Sequence, residues 1–146
     1  MAIAGDFSYF LRTIGACTDA REFVDSFDED TPVDEVFNQL RMYNRDWLWW
    51  LIDKLHKARV TDQTVRLDSM AHHWVFTEEY LDMVRDTDTL SAELQNRYEN
   101  TDMTSMEYYA LNDQLYADRD ERYADIWLRF KDSIRADLMA ELESRV

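Results

Sequence analysis

Residues 104–143 read TSMEYYALNDQLYADRDERYADIWLRFKDSIRADLMAELE, forty residues without a glycine or a proline. The stretch opens on a capping box, Thr104-Ser105-Met106-Glu107, in which the Thr104 side chain accepts from the Glu107 backbone N–H and the glutamate reaches back. Nothing after it stops a helix. At 1.5 Å per residue an unbroken helix to about Glu143 would be roughly 58 Å long, more than a compact domain spans. The expectation is therefore a break or bend near Ala117 to Arg119; the alternative is a helix that projects and finds a partner. Ile126, Phe130, Ile134, Leu138 and Leu142 recur every four residues, nearer a globular helix face than a seven-residue seam.

The rest of the chain points the same way. Only Gly5, Gly15 and Pro32 are available for turns in 146 residues, whereas sheet-rich folds spend several such residues on them. The reading is an all-α fold: a single-domain helical bundle, residues 1–146, of about six or seven helices with a long C-terminal helical region. With 46% hydrophobic and 14% aromatic residues the chain is no candidate for disorder. The scarcity of glycine also argues against a phosphate-binding loop, a dinucleotide fingerprint and a nucleophile elbow.

Along the chain, Phe7, Phe10, Leu11 and Ile14 predict a short helix between Gly5 and Gly15. Thr18 is the expected cap of a second helix with Ala20, Phe23, Val24 and Phe27 on one face, ending at the acidic turn Asp28-Glu29-Asp30. Thr31 and Pro32 read as the N-cap and first residue of a third, with Asp34 complementing its dipole and Val33, Val36, Phe37, Leu40 and Met42 or Tyr43 turned inward. Asn44 caps a central helix from Arg45 to about Arg59. On it Trp47, Trp50, Leu51, Lys54 and Leu55 share one side, and Trp49, Asp53 and His56 the other. Thr61 or Asp62 opens a helix through Val65, Leu67, Met70, Ala71 and Trp74, with a restart at Thr77, and Thr89 caps a short helix through Leu94.

Charge is the strongest functional signal. Thirty-one acids against sixteen Lys and Arg leave a formal −15, which repels nucleic acid and anionic lipid and favours a basic protein surface as partner. Grouping says more than the count. In the C-terminal third, Asp118 to Arg122, Asp125 to Arg129, Glu141 to Arg145 and Asp132 to Arg135 are spaced as helix ion pairs. Between Glu22 and Glu35 there are acids and no base: Glu22, Asp25, Asp28, Glu29, Asp30, Asp34 and Glu35. A second base-free stretch, Tyr98 to Asp118, holds Glu99, Asp102, Glu107, Asp113 and Asp118. Glu78, Asp82 and Asp86 form a further row, partly offset by Arg85. Carboxylates one helical turn apart imitate the spacing of phosphates along a strand. At one charge per ~1.7 Å of duplex, the excess matches roughly 25 Å of nucleic acid. For a single acid, helix starts (Asp34, Glu35, Glu107) and solvation are sufficient explanation; only the grouping suggests mimicry.

Other constellations are weaker. Trp47 and Trp50 read as core, while Trp49 is a candidate for partner contact. His72-His73 read as packing, because adjacent side chains on a helix diverge and no other His or Cys has a matching spacing, so neither a metal nor a cofactor is expected. Glu78-Glu79 and Asp86 with Asp88 lack the surroundings of a carboxylate metal centre. Cys17, the sole cysteine, has no base at catalytic spacing and fits a reducing cytoplasm. The N-terminus does not read as a signal peptide, since it lacks a basic region and Asp6 interrupts it. No apolar run approaches the ~20 residues of a membrane span.

The segment Ala16-Cys17-Thr18-Asp19-Ala20-Arg21-Glu22-Phe23, with an acidic turn, a short helix and Arg45-Asp46-Trp47-Leu48-Trp49-Trp50-Leu51, resembles a pattern of small phage-encoded acidic helical proteins: Cys-x-x-Ala-x-x-Phe, then Asp-Trp-Leu-x-Trp-Leu. The resemblance covers about the first third. Met42 stands in the neighbourhood where those sequences carry a cysteine. It implies a phage setting and supplies no catalytic residues. The combined expectation is a non-enzymatic phage inhibitor in the host cytoplasm that occupies the basic nucleic-acid-binding surface of a host defence or DNA-processing enzyme. Acidic DNA mimics share this charge and helicity as a matter of composition. The alternative is a structural or assembly protein that self-associates through its C-terminal helix.

Overall fold

The structure, a computed structural model, describes residues 1–59 and 71–145, with side chains for all of these except 57–59, 71 and 72. It is all-α. Six helices are present among the described residues: α1 (Ala4–Thr13), α2 (Thr18–Asp25), α3 (Val33–Asn38), α4 (Arg45–Arg59), α5 (Ala71–Asn100) and α6 (Ser105–Ser144), with a 3₁₀ turn over Met42–Asn44. The helix expected to open at Thr61 or Asp62 lies outside the described residues. The chain divides into two compact units, one formed by Met1–His73 with Phe130–Val146 and the other by Trp74–Arg129.

In the first unit, local chemistry sets the helix limits. The Asp6 carboxylate accepts from the Ile3 N–H at 3.0 Å and so caps α1. Gly15, at φ +72°, takes the left-handed conformation that ends α1. The second and third helices begin within a residue of expectation, with Cys17 and Pro32 at the N-cap positions in place of Thr18 and Thr31. The segment before α3 runs back along the start of α1: Ala4 N–H donates to the Thr31 carbonyl at 2.7 Å and Gly5 N–H to the Glu29 carbonyl at 2.9 Å. A Cβ on Gly5 would sit 3.4 Å from Glu29, so glycine suits this approach.

The core of this unit holds Phe7, Phe10, Val33, Val36, Phe37, Leu48, Leu51, Ile52, Leu55, Ile134 and Leu138, all buried. Phe7 stacks on Phe37 with ring centroids 5.9 Å apart. Two inward assignments are corrected. Met42 and Tyr43 are exposed, because the 3₁₀ turn swings them outward and buries Asn44 instead, whose side-chain oxygen accepts from the Arg41 N–H at 2.8 Å. On α4 the buried stripe is Leu48, Leu51, Ile52 and Leu55, and the three tryptophans flank it half-buried.

The second unit is an antiparallel helical hairpin. Two expected interruptions are absent. α5 is continuous through Thr77 and Thr89, and α6 is continuous through Ala117 to Arg119. No glycine or proline lies in either span, so breaking the backbone ladder would leave unsatisfied groups with nothing to recommend the break. Length is accommodated by pairing. Tyr80 meets Tyr123 with centroids 5.3 Å apart, Arg122 reaches Asp86 at 2.9 Å, and the Tyr108 hydroxyl donates to Gln95 at 2.9 Å. Thr104 caps α6, its hydroxyl oxygen accepting from the Glu107 N–H at 3.1 Å, which is one half of the expected capping box; the return bond to the Glu107 side chain is not formed. Met83, Thr87 and Leu94 from α5 and Ile126 and Trp127 from α6 are the buried residues of this unit.

Continuity of α6 is testable. Ala117→Pro should lower stability by about 3 kcal/mol or more in chemical denaturation, the cost of proline inside a helix. Unchanged stability would place a break there.

Candidate functional site

The hairpin carries most of the charge. Trp74–Arg129 contains fourteen acids against five arginines, a net −9 of the chain's −15. Its ion pairs gather where the helices enter and leave the unit. Arg129 holds Glu79 and, at 3.0 Å, Asp125; Arg122 holds Asp86 at 2.9 Å; Arg85 holds Asp82 at 3.2 Å; Arg119 holds Asp120 at 3.1 Å. Farther out the pairs cease. Residues 88–118 bear Asp88, Glu93, Glu99, Asp102, Glu107, Asp113 and Asp118 with Arg97 as the sole base. All seven acids are exposed, and none has an ion pair among the described residues.

The sequence-predicted acids therefore separate into two groups. Glu99, Asp102, Asp113 and Asp118 share the bare end of the hairpin, where Gln95 donates to Glu99 at 2.8 Å and Gln114 to Asp118 at 2.7 Å. The expected Asp118 to Arg122 pair is not formed, because Arg122 crosses to Asp86 instead. That contact also removes Asp86 from the row Glu78, Asp82, Asp86; Asp82 is engaged by Arg85, and Glu78 is left exposed. In the first unit Asp25 is bound by Ser8 and Arg12, and Asp34 by Arg135 at 2.8 Å. Glu22, Asp28, Glu29 and Asp30 stay exposed without ion pairs among the described residues.

Apolar side chains are interleaved with the bare acids. Met106, Tyr109, Asp113 and Tyr116 follow one another at three, four and three residues, so they lie on one face of α6. All four are exposed, Met106 at 85% and Tyr109 at 63%. A face of aromatic and thioether groups set among carboxylates offers both contact area and charge to a partner. Sequence reading missed these tyrosines. Their heptad-like spacing was the available signal, hidden by the expectation of a break at Ala117.

Trp49 lies in the first unit, not on the hairpin that bears these acids. It is half-buried and packs on Phe130 of α6 with ring centroids 4.8 Å apart. Residues of the segments 16–23 and 45–51 also pack together: Phe23 meets Trp47 edge-on at 6.0 Å. Cys17, Ala20, Phe23, Trp47, Leu48, Trp50 and Leu51 all line one apolar cavity of about 380 Å³. The spacing of the two motifs is thus that of one helix face docking on another.

One polar cluster was invisible in the sequence. His56 in the last turn of α4, His73 in the first turn of α5 and Asp137 on α6 converge, with one donor atom of each within 4.8 Å of the others. His73 Nε2 lies 2.8 Å and His56 Nε2 3.5 Å from the same Asp137 carboxylate oxygen. Ser133, one turn before Asp137, places its hydroxyl 2.9 Å from His73 Nδ1. Both imidazoles are buried. The two histidines of the cluster are seventeen residues apart in sequence. Elsewhere in this unit Lys131 is buried, with its ammonium group 3.5 Å from the Leu40 carbonyl. Burial, and then the charge of Arg41, hold its pKa below the usual lysine value.

No protein-family model, curated protein or solved structure matches the chain. No helix among the described residues is long and apolar enough to cross a membrane.

The paired acids make a pH prediction. The hydrogen bond from Ser8, with the Arg12 guanidinium, holds Asp25 below the ordinary carboxylate value, and the hydrogen bond from Arg129 does the same for Glu79. A depressed folded-state pKa gives stability that is present above the ordinary value of about 4 and is lost as pH falls through the lowered one. Both groups are partly exposed, so each contributes less than about 1 kcal/mol. Asp25→Asn with Glu79→Gln should be slightly less stable than the parent at neutral pH in urea denaturation, and the difference should vanish in strong acid. A pH-independent difference would contradict this.

Proposed function

We propose that the chain is a non-enzymatic acidic binding protein whose hairpin end, residues 88–118, docks on a basic protein surface. In the phage setting that the sequence resemblance implies, the partner is a host defence or DNA-processing enzyme, and the carboxylates stand in for phosphates in its nucleic-acid groove. One observation carries the reading: seven exposed acids and one base occupy the hairpin end, while the arginines pair elsewhere. Solubility alone needs no such segregation, because interspersed charge serves equally well. Unscreened carboxylates steer encounter with a cationic groove, and Tyr109 and Tyr116 supply desolvated contact once docked. Duplex DNA itself is repelled by the same surface.

A second reading, assembly through the C-terminal helix, is favoured by Leu111 and Leu128, both exposed on α6. Sedimentation at low and high ionic strength separates the two. Self-association through apolar side chains persists in salt, whereas the mimic is monomeric and loses its partner.

The decisive variant changes Glu99, Asp102, Asp113 and Asp118 together to Asn or Gln. With each exposed pair at ~0.5 kcal/mol, binding to the protein captured from infected-cell extract should weaken by about 2 kcal/mol, roughly thirtyfold. Duplex DNA should also compete the parent protein away. Full binding by the folded variant would refute the mimic.

A further inference from the structure

We infer that His56, His73 and Asp137 form a binding site for a divalent first-row transition ion, with zinc as the fitting metal, that ties together α4, α5 and α6 of the first unit. The inference is independent of the acidic hairpin. The donor set is two imidazoles and one carboxylate, the nitrogen and oxygen ligands that zinc accepts at about 2.0–2.2 Å. Tetrahedral ligands at that radius lie roughly 3.3 Å from one another. His73 Nε2 and His56 Nε2 lie 2.8 and 3.5 Å from the Asp137 oxygen, bracketing this separation. All three donor atoms lie within 4.8 Å of one another, so side-chain rotation must bring the set to that separation around the ion.

The surroundings suit ligation. A ligating imidazole must lose its proton on the metal-facing nitrogen and donate from the other. Ser133 Oγ, 2.9 Å from His73 Nδ1, is placed to accept that donation and so fix both tautomer and ring orientation. Without the ion the same hydroxyl donates to Nδ1 while Nε2–H donates to Asp137, so the ring keeps partners in either state. The imidazoles are buried, whereas the Asp137 side chain is 27% exposed, which gives an ion a route inward. Three protein ligands leave the fourth tetrahedral position to water. Magnesium is disfavoured, because it prefers oxygen donors in octahedral geometry.

The test titrates the full-length, chelator-treated protein with zinc chloride in a calorimeter. One ion per chain should bind and the melting temperature should rise, with magnesium chloride producing neither effect. Asp137→Asn and His56→Gln should each weaken binding by more than about a hundredfold, and Ser133→Ala by about tenfold, as expected for a group outside the ligand shell. Should a variant fail to fold, cobalt chloride added to the wild-type chain decides: intense visible bands of a tetrahedral nitrogen and oxygen site support the assignment, and a weak octahedral spectrum overturns it. Absence of zinc binding by the wild-type chain overturns it as well. So does stoichiometric binding unchanged in the folded Asp137→Asn and His56→Gln variants, which would assign the ion to surface carboxylates.

Discussion

An uninterrupted helix must find cover for its apolar face along its whole length, and α6, Ser105–Ser144, imposes that requirement on this protein. It is met in two ways. Up to Arg129 the cover is α5, running antiparallel, through contacts such as Tyr80 with Tyr123. From Phe130 onward the cover is the N-terminal helices: Trp49 packs on Phe130, Asp34 binds Arg135, and Arg145 lies 4.9 Å over the Phe10 ring. Ile134 and Leu138 are fully buried there. Removing a buried leucine or isoleucine of this kind costs about 2–5 kcal/mol.

The two environments differ in what they can hide. A helix inside a bundle has neighbours on several sides, so the first unit buries two imidazoles, a lysine and an asparagine along with its apolar core. A two-helix hairpin has one seam and leaves most of its circumference in water. That geometry suits a charged surface. It keeps the carboxylates of residues 88–118 solvated and their charges additive, and the arginines that would cancel them pair nearer the other end of the hairpin. Exposed charge of this sort is a long-range feature, strong at low ionic strength and screened beyond about 10 Å at 0.1 M salt.

Much of this was legible in residue order. The Thr104 cap, the stop at Gly15 and the helical periodicity from Phe7 to Phe37 are local signals, and local signals survive folding. The base-free stretch from Tyr98 to Asp118 was equally visible, because i,i+4 arithmetic needs no tertiary knowledge. What failed depended on partners. The expected break at Ala117 came from the length of an isolated helix, and α5 supplies the cover that makes the length acceptable. Arg122 has two acids in reach, and only the hairpin register decides for Asp86 over Asp118. His56, His73 and Asp137 are separated by seventeen and sixty-four residues, a spacing that no motif encodes.

Native-state hydrogen exchange across residues 101–129 tests the central claim, a continuous α6 covered by α5, most directly. The predicted result is a single protected block through Ala117, Asp118 and Arg119, with fast exchange confined to the turn near Asp102 and Met103. Rapid exchange at Ala117 to Arg119, with protected segments on either side, would contradict the account.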